Sequence, residues 1–334
     1  MNQHLGAERK MDEVDYPDEE EKQQLREKHY NATIIKRIDL TEDLARFRIQ
    51  CDEPFMPFEP GQYVAIGLGN WEPRLRGTQP EDVPIKKSRK LVRRAYSISC
   101  PILHDADSPH AGQLAPVDEI DYLEFYITLV RQGATSASKP PALTPRLFGK
   151  TDGDRICVEK KITGRYLLGD ILLDENVLML GTGTGEAPHN AMATTLLSNG
   201  HRGKVVVATS VRFQSDLGYQ PEHDELMRRF PNYCYLPLTT REPKNLEPNR
   251  PDYVGKQYLQ TIFTSGRLAE MVGDPLSPSN THVFLCGNPD MIGYVPPGAE
   301  TPDRPGMLPL LRAAGFHDAD EASGPGTIRF EKYW

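Results

Sequence analysis

The sequence lacks the cysteine spacings that typically hold a metal ion or an iron–sulfur cluster. Five cysteines are scattered singly along the 334 residues: Cys51, Cys100, Cys157, Cys234 and Cys286. No two of them have the C-x-x-C spacing of zinc and redox sites, and there is no C-x₄-C-x₂-C run for a two-iron cluster. We therefore expect free thiols in a reducing compartment, no metal site, and no iron–sulfur cluster carried by this chain.

Long apolar runs and an excess of positive charge are also absent. The longest apolar stretches, such as residues 205–208, are too short to span a membrane, and the first 22 residues lack the apolar core of a signal peptide. With 39 basic and 47 acidic residues, the formal net charge is −8, which argues against a general attraction to nucleic acid. At roughly 150 residues per domain, the length predicts two domains. We expect a soluble, cytoplasmic protein with neither a nucleic-acid nor a membrane partner.

The first part of the chain has the pattern of an antiparallel β domain. Residues 1–28 are acidic and almost devoid of apolar side chains, which predicts a flexible tail or a frayed helix. In residues 29–172, short alternating segments without convincing helices predict an antiparallel barrel or sandwich, with surface excursions at about 69–93 and 101–121. The strands are expected near residues 33–35, 45–49, 63–66, 94–99, 123–128 and 154–158.

In residues 173–334 the predicted strands alternate with helices. Apolar segments predict strands near residues 176–180, 204–210, 233–238 and 282–286, and helices at about 187–198 and 221–229. Fully apolar strands that alternate with helices indicate a parallel sheet covered on both faces. The second domain is therefore predicted to be α/β.

A glycine-rich loop, residues 181–188, follows the first predicted parallel strand and opens a helix. Glycines at such a place let the backbone approach a phosphate, and the free N–H groups of the helix start favour an anion. The motif does not fit G-x-G-x-x-G, because Glu186 stands at the third glycine position. A tight turn between strand and helix is the alternative interpretation.

Two further motifs indicate a bound cofactor. Arg94-x-Tyr96-Ser97 lies on a predicted strand of the first domain, and an arginine, an aromatic ring and a hydroxyl suit an aromatic cofactor with a diphosphate. Cys286-Gly287 lies at the carboxyl end of a parallel strand, where such sheets bind ligands. An ordinary edge strand and a buried cysteine before a turn are the alternatives.

In order and spacing, these motifs resemble the ferredoxin–NADP⁺ reductase family, and most closely its bacterial ferredoxin/flavodoxin reductase branch. The resemblance covers about residues 30–334 and implies an antiparallel β-barrel domain that binds FAD, followed by an α/β domain that binds NADP(H). The residues that carry it are Arg94-Ala95-Tyr96-Ser97, Leu123-Glu124-Phe125-Tyr126, Thr144-Pro145-Arg146-Leu147, the glycine-rich loop, Arg212 with Asp216-Leu217-x-Tyr219, Thr240-Arg241-Glu242, Cys286-Gly287-Asn288-Pro289 and Glu331-x-Tyr333-Trp334.

The resemblance implies an enzyme, a flavoprotein oxidoreductase for electron transfer between NADP(H) and a ferredoxin or flavodoxin. Hydride would pass to flavin N5, and single electrons would go on to the acceptor protein. Two alternatives stay open here. One is a generic NAD(P)H-dependent flavin or haem-protein reductase on the same fold, and the other is a catalytically silent nucleotide-binding regulator.

Carried over by position, the resemblance assigns roles in FAD binding. Arg94 would bind the diphosphate, Tyr96 would lie against the isoalloxazine ring, and Ser97 would hydrogen-bond near N5. Tyr333 would cover the other flavin face, and Trp334 would stack on the adenine. The remaining implied contacts are Ala95, the lining residues Phe125, Tyr126 and Ile127, the phosphate contacts Leu143 and Thr144, and Thr184 where the nicotinamide meets the flavin.

For the nucleotide, the resemblance implies NADP(H). Arg212 follows the second parallel strand, where NAD-specific proteins tend to place a carboxylate, and Arg241 and Lys256 match family positions for the 2′-phosphate. Three solvated surface bases are the alternative. The implied NADP(H) contacts are Gly183, Thr184, Arg212, Arg241, Lys256, Asn288 and Asp290. The implied catalytic residues are Ser97, together with Cys286 and Glu331, which would place the nicotinamide and relay protons.

Two further features of the sequence bear on what it binds. Glu186 and the pair His189-Asn190 replace more apolar residues, and the charge of Glu186 would weaken phosphate binding unless its carboxylate points away. The other feature is a basic loop that reverses the sign of the chain's charge, where an acidic ferredoxin or flavodoxin would dock. A solvated loop that protects an edge strand is the alternative. The bases of this loop are Lys86, Lys87, Arg89, Lys90, Arg93 and Arg94.

Overall fold

The computed structural model describes residues 15–135, 138–273, 276–295, 304–320 and 323–333, and these form a β domain followed by an α/β domain. No helix in these ranges is long and apolar enough to cross a membrane. The five cysteines are all free. Trp334 lies outside the described residues.

The first domain is built on an antiparallel sheet, as expected. Its strands are β1 (Ala32–Thr41), β2 (Leu44–Cys51), β3 (Tyr63–Gly69), β4 (Leu91–Ser97), β5 (Ile102–Leu103), β6 (Leu114–Ala115), β7 (Leu123–Thr128) and β8 (Arg155–Val158). Six of them form a sheet in the order β4-β3-β8-β1-β2-β7. The sheet is barrel-like but not closed; a single bridge between Ser99 and Glu124 links its two edges. Short helices in this domain are α2 (Ile85–Ser88) and α3 (Thr144–Leu147).

Part of the segment predicted as a flexible tail is a helix, α1 (Glu19–His29). The Asp18 side chain accepts a hydrogen bond from the Glu21 N–H (2.9 Å), and acidic residues in the first turn and basic residues in the last favour the helix dipole. Arg26 then joins the helix to the buried Glu72 of the barrel (2.8 Å). A flexible tail is therefore wrong for residues 19–28, where the alternative of a helix is found, and this helix is held against the barrel.

The two predicted surface excursions are partly packed, and this prediction is wrong where they are. In residues 101–121 the strands β5 and β6 pair as a hairpin, and Ile102 and Ala115 are fully buried in the same apolar cluster as residues of the second domain. In residues 69–93, Trp71 and Glu72 are buried. Apolar residues that stand singly or in pairs in a polar segment have no helix or strand period, so the sequence pattern gave no sign of their burial.

The second domain carries six parallel strands in the order β11-β10-β9-β12-β14-β13. They are β9 (Asn176–Thr182), β10 (Val205–Val211), β11 (Tyr233–Thr239), β12 (Thr281–Gly287), β13 (His317–Asp318) and β14 (Thr327–Lys332). The helices are α4 (Glu186–Ser198), α5 (Gln220–Arg229), α6 (Pro243–Leu246), α7 (Leu259–Thr264), α8 (Arg267–Val272), α9 (Pro289–Ile292) and α10 (Met307–Ala313), with 3₁₀ turns at Gly183–Gly185 and Gln214–Asp216. The predicted fold class, an antiparallel barrel-like domain joined to a parallel α/β domain, is confirmed.

The two domains share one apolar cluster. Leu44 and Tyr126 of the first domain belong to the same buried cluster as Met192 and Tyr219 of the second. The predicted boundary between residues 172 and 173 falls in the segment that joins β8 to β9, and its position stays a prediction. The shared cluster places the carboxyl edge of the parallel sheet against the barrel.

Candidate functional site

Predicted site residues from both domains meet at the carboxyl ends of β9, β12 and β14. In the sheet register Cys286 lies opposite Glu331. The Tyr333 hydroxyl donates to the carbonyl oxygen of Thr184 (3.3 Å). The same hydroxyl is in hydrogen-bonding contact with Cys286 and with Ser97, which ends β4 of the barrel. The structure thus brings Ser97, Thr184, Cys286, Glu331 and Tyr333 to one junction.

Burial controls protonation at this junction. It raises the pKa of the Cys286 thiol and holds the pKa of the Tyr333 hydroxyl well above its ordinary value. Burial also raises the pKa of the Glu331 carboxyl, against the smaller opposing effect of Lys332. Cys286 and Tyr333 therefore keep their protons near neutral pH, beside a carboxyl that takes up a proton more readily than usual.

The glycine-rich loop packs directly on the end of β12. A Cβ on Gly185 would lie 2.3 Å from the carbonyl oxygen of Cys286, and one on Gly287 would lie 2.3 Å from Thr182 Oγ1. Neither position has room for a side chain. Gly183, by contrast, has φ +54° and nothing within 4 Å of where its Cβ would be. The loop is tight toward the sheet and open on its outer side.

The carboxylate of Glu186 points away from this loop. Its Oε1 accepts from the hydroxyls of Tyr235 (2.8 Å) and Thr209 (3.2 Å) and lies 3.1 Å from His223 Nε2. The side chain is fully buried between α4 and strands β10 and β11. The expected conflict with a bound phosphate is therefore reduced by the direction of the carboxylate.

The other two unusual residues of α4 face the barrel side. His189 Nε2 lies 2.7 Å from the hydroxyl of Tyr166, and burial lowers the pKa of His189 to about 3, so the imidazole is neutral. Asn190 Nδ2 donates to Ser99 Oγ (3.3 Å). Sequence reasoning missed Tyr166, because a single tyrosine in a polar connection carries no pattern that distinguishes it.

Three cations converge at the carboxyl ends of β10 and β11. Arg212, Arg241 and Lys256 are all exposed, and we call them the cation cluster. The Arg241 N–H donates to the carbonyl oxygen of Arg212 (2.9 Å), and the neighbour of Lys256, Gln257, donates through its N–H to Thr239 O (3.2 Å). Within the ranges that the structure describes, no side chain of the cluster makes an ion pair. The cluster is an open cationic site at the edge where parallel sheets bind ligands.

On the barrel, Arg94 and Ala95 are exposed on β4, which is an edge strand. The guanidinium of Arg94 donates to the carbonyl oxygen of Arg93 (2.8 Å) and meets no carboxylate among the described residues. Tyr96 is half-buried, and its ring lies edge-on to that of Phe125, with the centroids 6.5 Å apart. The motif therefore offers an unpaired cation and a supported aromatic ring close to Ser97.

Comparison with known proteins covers both domains. A family model described as "Oxidoreductase NAD-binding domain" matches residues 179–296. A flavodoxin/ferredoxin–NADP reductase of Buchnera aphidicola is 26% identical over 262 residues, which are 78% of this chain and 86% of that protein. A ferredoxin–NADP reductase of Pseudomonas aeruginosa is 27% identical over 251 residues, 72% of this chain and 77% of that protein. The chain is thus similar, over about three quarters of its length, to flavodoxin/ferredoxin–NADP reductases.

The fold is similar to that of a solved ferredoxin NADP⁺ reductase. A ferredoxin NADP⁺ reductase from Neisseria gonorrhoeae, solved with bound FAD and NADP, superposes with a TM-score of 0.63 at 20% identity, covering 90% of this chain and 97% of that one. At that identity the likeness concerns the fold, and it extends over both domains.

Three residues that the family resemblance assigned to FAD have side chains that contact other parts of the protein. Phe125 and Ile127 are buried in the barrel core, and the hydroxyl of Tyr126 donates to the carbonyl oxygen of Asp216 in the second domain (2.7 Å). The role of these three residues in lining an FAD site stays a prediction.

The resemblance gives Leu143 and Thr144, at the start of α3, backbone or hydroxyl contacts to the FAD phosphates, and these contacts stay predictions. Leu143 and Thr144 are buried, and the Thr144 hydroxyl accepts from the Val130 N–H (3.1 Å). Segment 69–93 lies over this helix, where the Leu75 N–H donates to the Pro145 carbonyl (2.7 Å). Thr144 keeps its own hydroxyl proton to donate. At the end of β12, by contrast, the predicted nucleotide contacts Asn288 and Asp290 are exposed.

Proposed function

We propose that this chain is an FAD-dependent oxidoreductase that transfers electrons between NADP(H) and a ferredoxin or flavodoxin. The observation that carries the proposal is the junction at which Ser97 of the barrel meets Cys286, Thr184 and Tyr333 of the α/β domain. Relatives matched across both domains are named for this activity.

The residues present fit FAD on the barrel side. Arg94, exposed and with no carboxylate partner among the described residues, would bind the diphosphate, while Tyr96 and Tyr333 would flank the ring system with the Ser97 hydroxyl at its edge. When bound, FAD supplies the exchange between one hydride and two single electrons. The buried thiol of Cys286 and the carboxyl of Glu331 would place the nicotinamide and hold a proton beside it.

The residues at the carboxyl edge of the parallel sheet fit NADP(H) in preference to NAD(H). The cation cluster supplies positive charge without a neutralising partner among the described residues, as a 2′-phosphate requires. The open outer side of the glycine-rich loop at Gly183 and Thr184, with Asn288 and Asp290 across from it, would take the rest of the nucleotide.

The docking surface for the acceptor would be smaller than the basic loop suggests. Arg89 Nη2 donates to Glu21 of α1 (2.8 Å), and Arg93 forms an ion pair with Glu159. Lys86, Lys87 and Lys90 are exposed and make no ion pair in the described ranges, and we call them the basic patch. An acidic ferredoxin or flavodoxin would be steered there by long-range attraction. The free thiols suit a cytoplasmic location.

Anaerobic titration of the purified protein tests the proposal. We expect a yellow protein with bound FAD that loses its visible absorbance with NADPH, far more readily than with NADH, and regains it when oxidised ferredoxin or flavodoxin is added. A protein that binds no FAD, or whose flavin NADPH does not reduce, would overturn the proposal. Reduction of small or haem acceptors without reduction of ferredoxin or flavodoxin would favour the generic reductase.

A further inference from the structure

The loop that follows β10 is inserted into the outer wall of the barrel. The Gly218 N–H donates to the Tyr126 hydroxyl (3.1 Å), and this hydroxyl donates to Asp216 O (2.7 Å). A Cβ on Gly218 would lie 2.5 Å from Leu40 Cδ1 and 2.7 Å from the Tyr126 hydroxyl oxygen. The loop therefore meets β1 and β7 so closely that no side chain fits at this position.

The next residue, Tyr219, carries a fully buried polar contact across the domain boundary. Its hydroxyl donates to Glu124 Oε1 on β7 (2.7 Å). The guanidinium of Arg46 on β2 lies over its ring, 3.5 Å from the centroid. Arg46 also donates to the carbonyl oxygen of Gly218 and pairs with Glu222 of α5 (2.7 Å). The contact between Tyr219 and the barrel is therefore made by charged side chains and by hydrogen bonds, which require a specific geometry.

On the barrel side the contact continues through buried charges. Glu124 is fully buried, and its second oxygen accepts from Arg48 Nε (2.7 Å). Arg48 also binds Asp105, which accepts from Lys36 as well (2.9 Å). Burial tends to raise the pKa of Asp105, but hydrogen bonds from Arg48 and Lys36 outweigh it and lower that pKa to about 2. The chain of contacts thus ties three elements of the barrel to Tyr219.

An apolar interface tolerates sliding, whereas buried hydrogen bonds between charged groups hold one arrangement. One loop of eight residues, 212–219, therefore joins the two sites: Arg212 of the proposed nucleotide site begins it, and Tyr219 of the contact with the barrel ends it. We propose that Tyr219, Glu124 and Arg46 are positioning residues that fix the α/β domain on the barrel and thereby align the nicotinamide with the flavin. This inference rests on the proposed function.

The test compares two buried tyrosines that each lose one hydroxyl. Tyr219→Phe removes the hydrogen bond to Glu124 across the boundary, and Tyr233→Phe removes one of equal length, 2.7 Å, to His223 within the α/β domain. In the FAD-loaded protein, we expect flavin reduction at saturating NADPH to slow about 10- to 100-fold in Tyr219→Phe, because misplaced reactants lose rate at that scale. FAD content and the NADPH concentration at half-saturation should stay within about twofold. Tyr233→Phe should match the wild type.

Amide exchange in the protein without nucleotide gives a readout independent of activity. The Gly218 N–H should exchange at least about tenfold faster in Tyr219→Phe than in the wild type, and at the wild-type rate in Tyr233→Phe. If Tyr219→Phe does not fold, Glu222→Gln, which weakens only the hold on Arg46, should show smaller effects in the same direction. Equal rates and equal exchange in the two tyrosine variants would overturn the inference. An FAD-loaded wild type that NADPH cannot reduce would instead contradict the proposed function.

Discussion

At the domain boundary Arg46 and Arg48 are buried, and each pairs with a carboxylate at 2.7 Å. At the carboxyl edge of the parallel sheet, the three members of the cation cluster are exposed, and none has a carboxylate partner within the described residues. Burying an ion pair costs hydration free energy, and the attraction within the pair offsets this cost only when the geometry is good. The boundary arginines therefore contribute a defined arrangement more than net stability. The cation cluster leaves its positive charge available to a ligand.

This contrast gives opposite expectations for mutation. Removing a partner from a buried pair strands a charge and costs stability, while removing an exposed cation barely changes folding. Loss of an exposed, unpaired cation should instead appear in ligand binding. Pairing would then separate charges that maintain the fold of this chain from charges that bind its ligands.

The largest effect is expected at Glu124. Glu124→Ala would leave Arg48 buried with one carboxylate fewer and Tyr219 without an acceptor, and we expect a loss of about 3–5 kcal/mol in the free energy of unfolding. Denaturant-induced unfolding measures it. Glu247→Ala, which removes an exposed carboxylate 3.8 Å from Arg250, should cost less than about 0.5 kcal/mol. A loss below about 1 kcal/mol for Glu124→Ala would contradict the expectation that a buried, paired charge matters more for stability than an exposed one.

At a second buried carboxylate, that of Glu72, ion pairing should make the stability of the protein depend on pH. Glu72 has no exposed side-chain surface and accepts from Arg26 (2.8 Å), Lys150 (2.7 Å) and Tyr30 (2.9 Å). Burial raises its pKa, but the hydrogen bonds from Arg26 and Lys150 outweigh burial and lower the pKa from 4.5 to about 2. The unfolded chain therefore takes up a proton at a pH where the folded protein does not. The stability that this charge provides is complete above pH 4.5 and is lost as the pH falls toward about 2.

Comparison with Glu72→Gln measures this contribution. The wild type should exceed the variant by about 3 kcal/mol in the free energy of unfolding at pH 7, and the difference should shrink steadily through the acid range. A difference that does not depend on pH would show that the carboxylate is not held in its charged form.

Arg94 belongs to the unpaired class, so its loss should affect the cofactor. Arg94→Ala should weaken FAD binding by about 1.5–3 kcal/mol, the usual value of a hydrogen bond to a charged group. Titration of the apoprotein with FAD measures the change. Arg93→Ala is the matched control, since its guanidinium on the same strand pairs with Glu159. Full FAD affinity in the Arg94 variant would contradict the assignment.

At the cation cluster the expected effect is on nucleotide choice. Arg212→Ala should reduce the preference for NADPH over NADH in kcat/KM about tenfold, and should change the free energy of unfolding by less than about 0.5 kcal/mol. Arg250→Ala, an exposed arginine paired with Asp252 at 2.9 Å, should leave the preference unchanged. Equal kcat/KM for NADH and NADPH in the wild type would contradict the role of the whole cluster.

The sequence predicted elements whose patterns are local. The continuous apolar strands β9 to β12 were found where they were expected. Strand β14 was missed although Ile328 and Phe330 alternate with the charged Arg329 and Glu331, because its place in the sheet depends on pairing with β12, more than 40 positions away. The β5–β6 hairpin was missed for the related reason that its burial depends on α4 of the other domain.

The same distinction applies to the site. The junction of Ser97, Thr184, Cys286, Glu331 and Tyr333 was predicted, because family motifs carry those positions. The direction of the Glu186 carboxylate depends on His223 and Tyr235, and the burial of Phe125 and Tyr126 depends on the packing of β7. These are properties of contacts between distant segments, which no short motif encodes.

The smallest effect is expected at the basic patch, where exposed charges act through solvent. Changing Lys86, Lys87 and Lys90 to glutamate should slow reduction of ferredoxin or flavodoxin several-fold at low salt and flatten its salt dependence, because steering raises association rates chiefly when screening is weak. Reduction of a small neutral acceptor by NADPH should be unchanged. Arg89 stays in place because it binds Glu21 of α1.

A charge-matched control separates a local from a global effect of this reversal. Changing Arg202, Arg228 and Arg250 to glutamate alters the net charge equally, but each of these exposed arginines already pairs with a carboxylate of the α/β domain. We expect this variant to reduce the acceptor protein at nearly the wild-type rate. If both triple variants slow the reaction alike, total charge rather than the patch attracts the acceptor. If only the patch variant does so, and small-acceptor turnover is kept, the acceptor docks at the basic patch, next to β4.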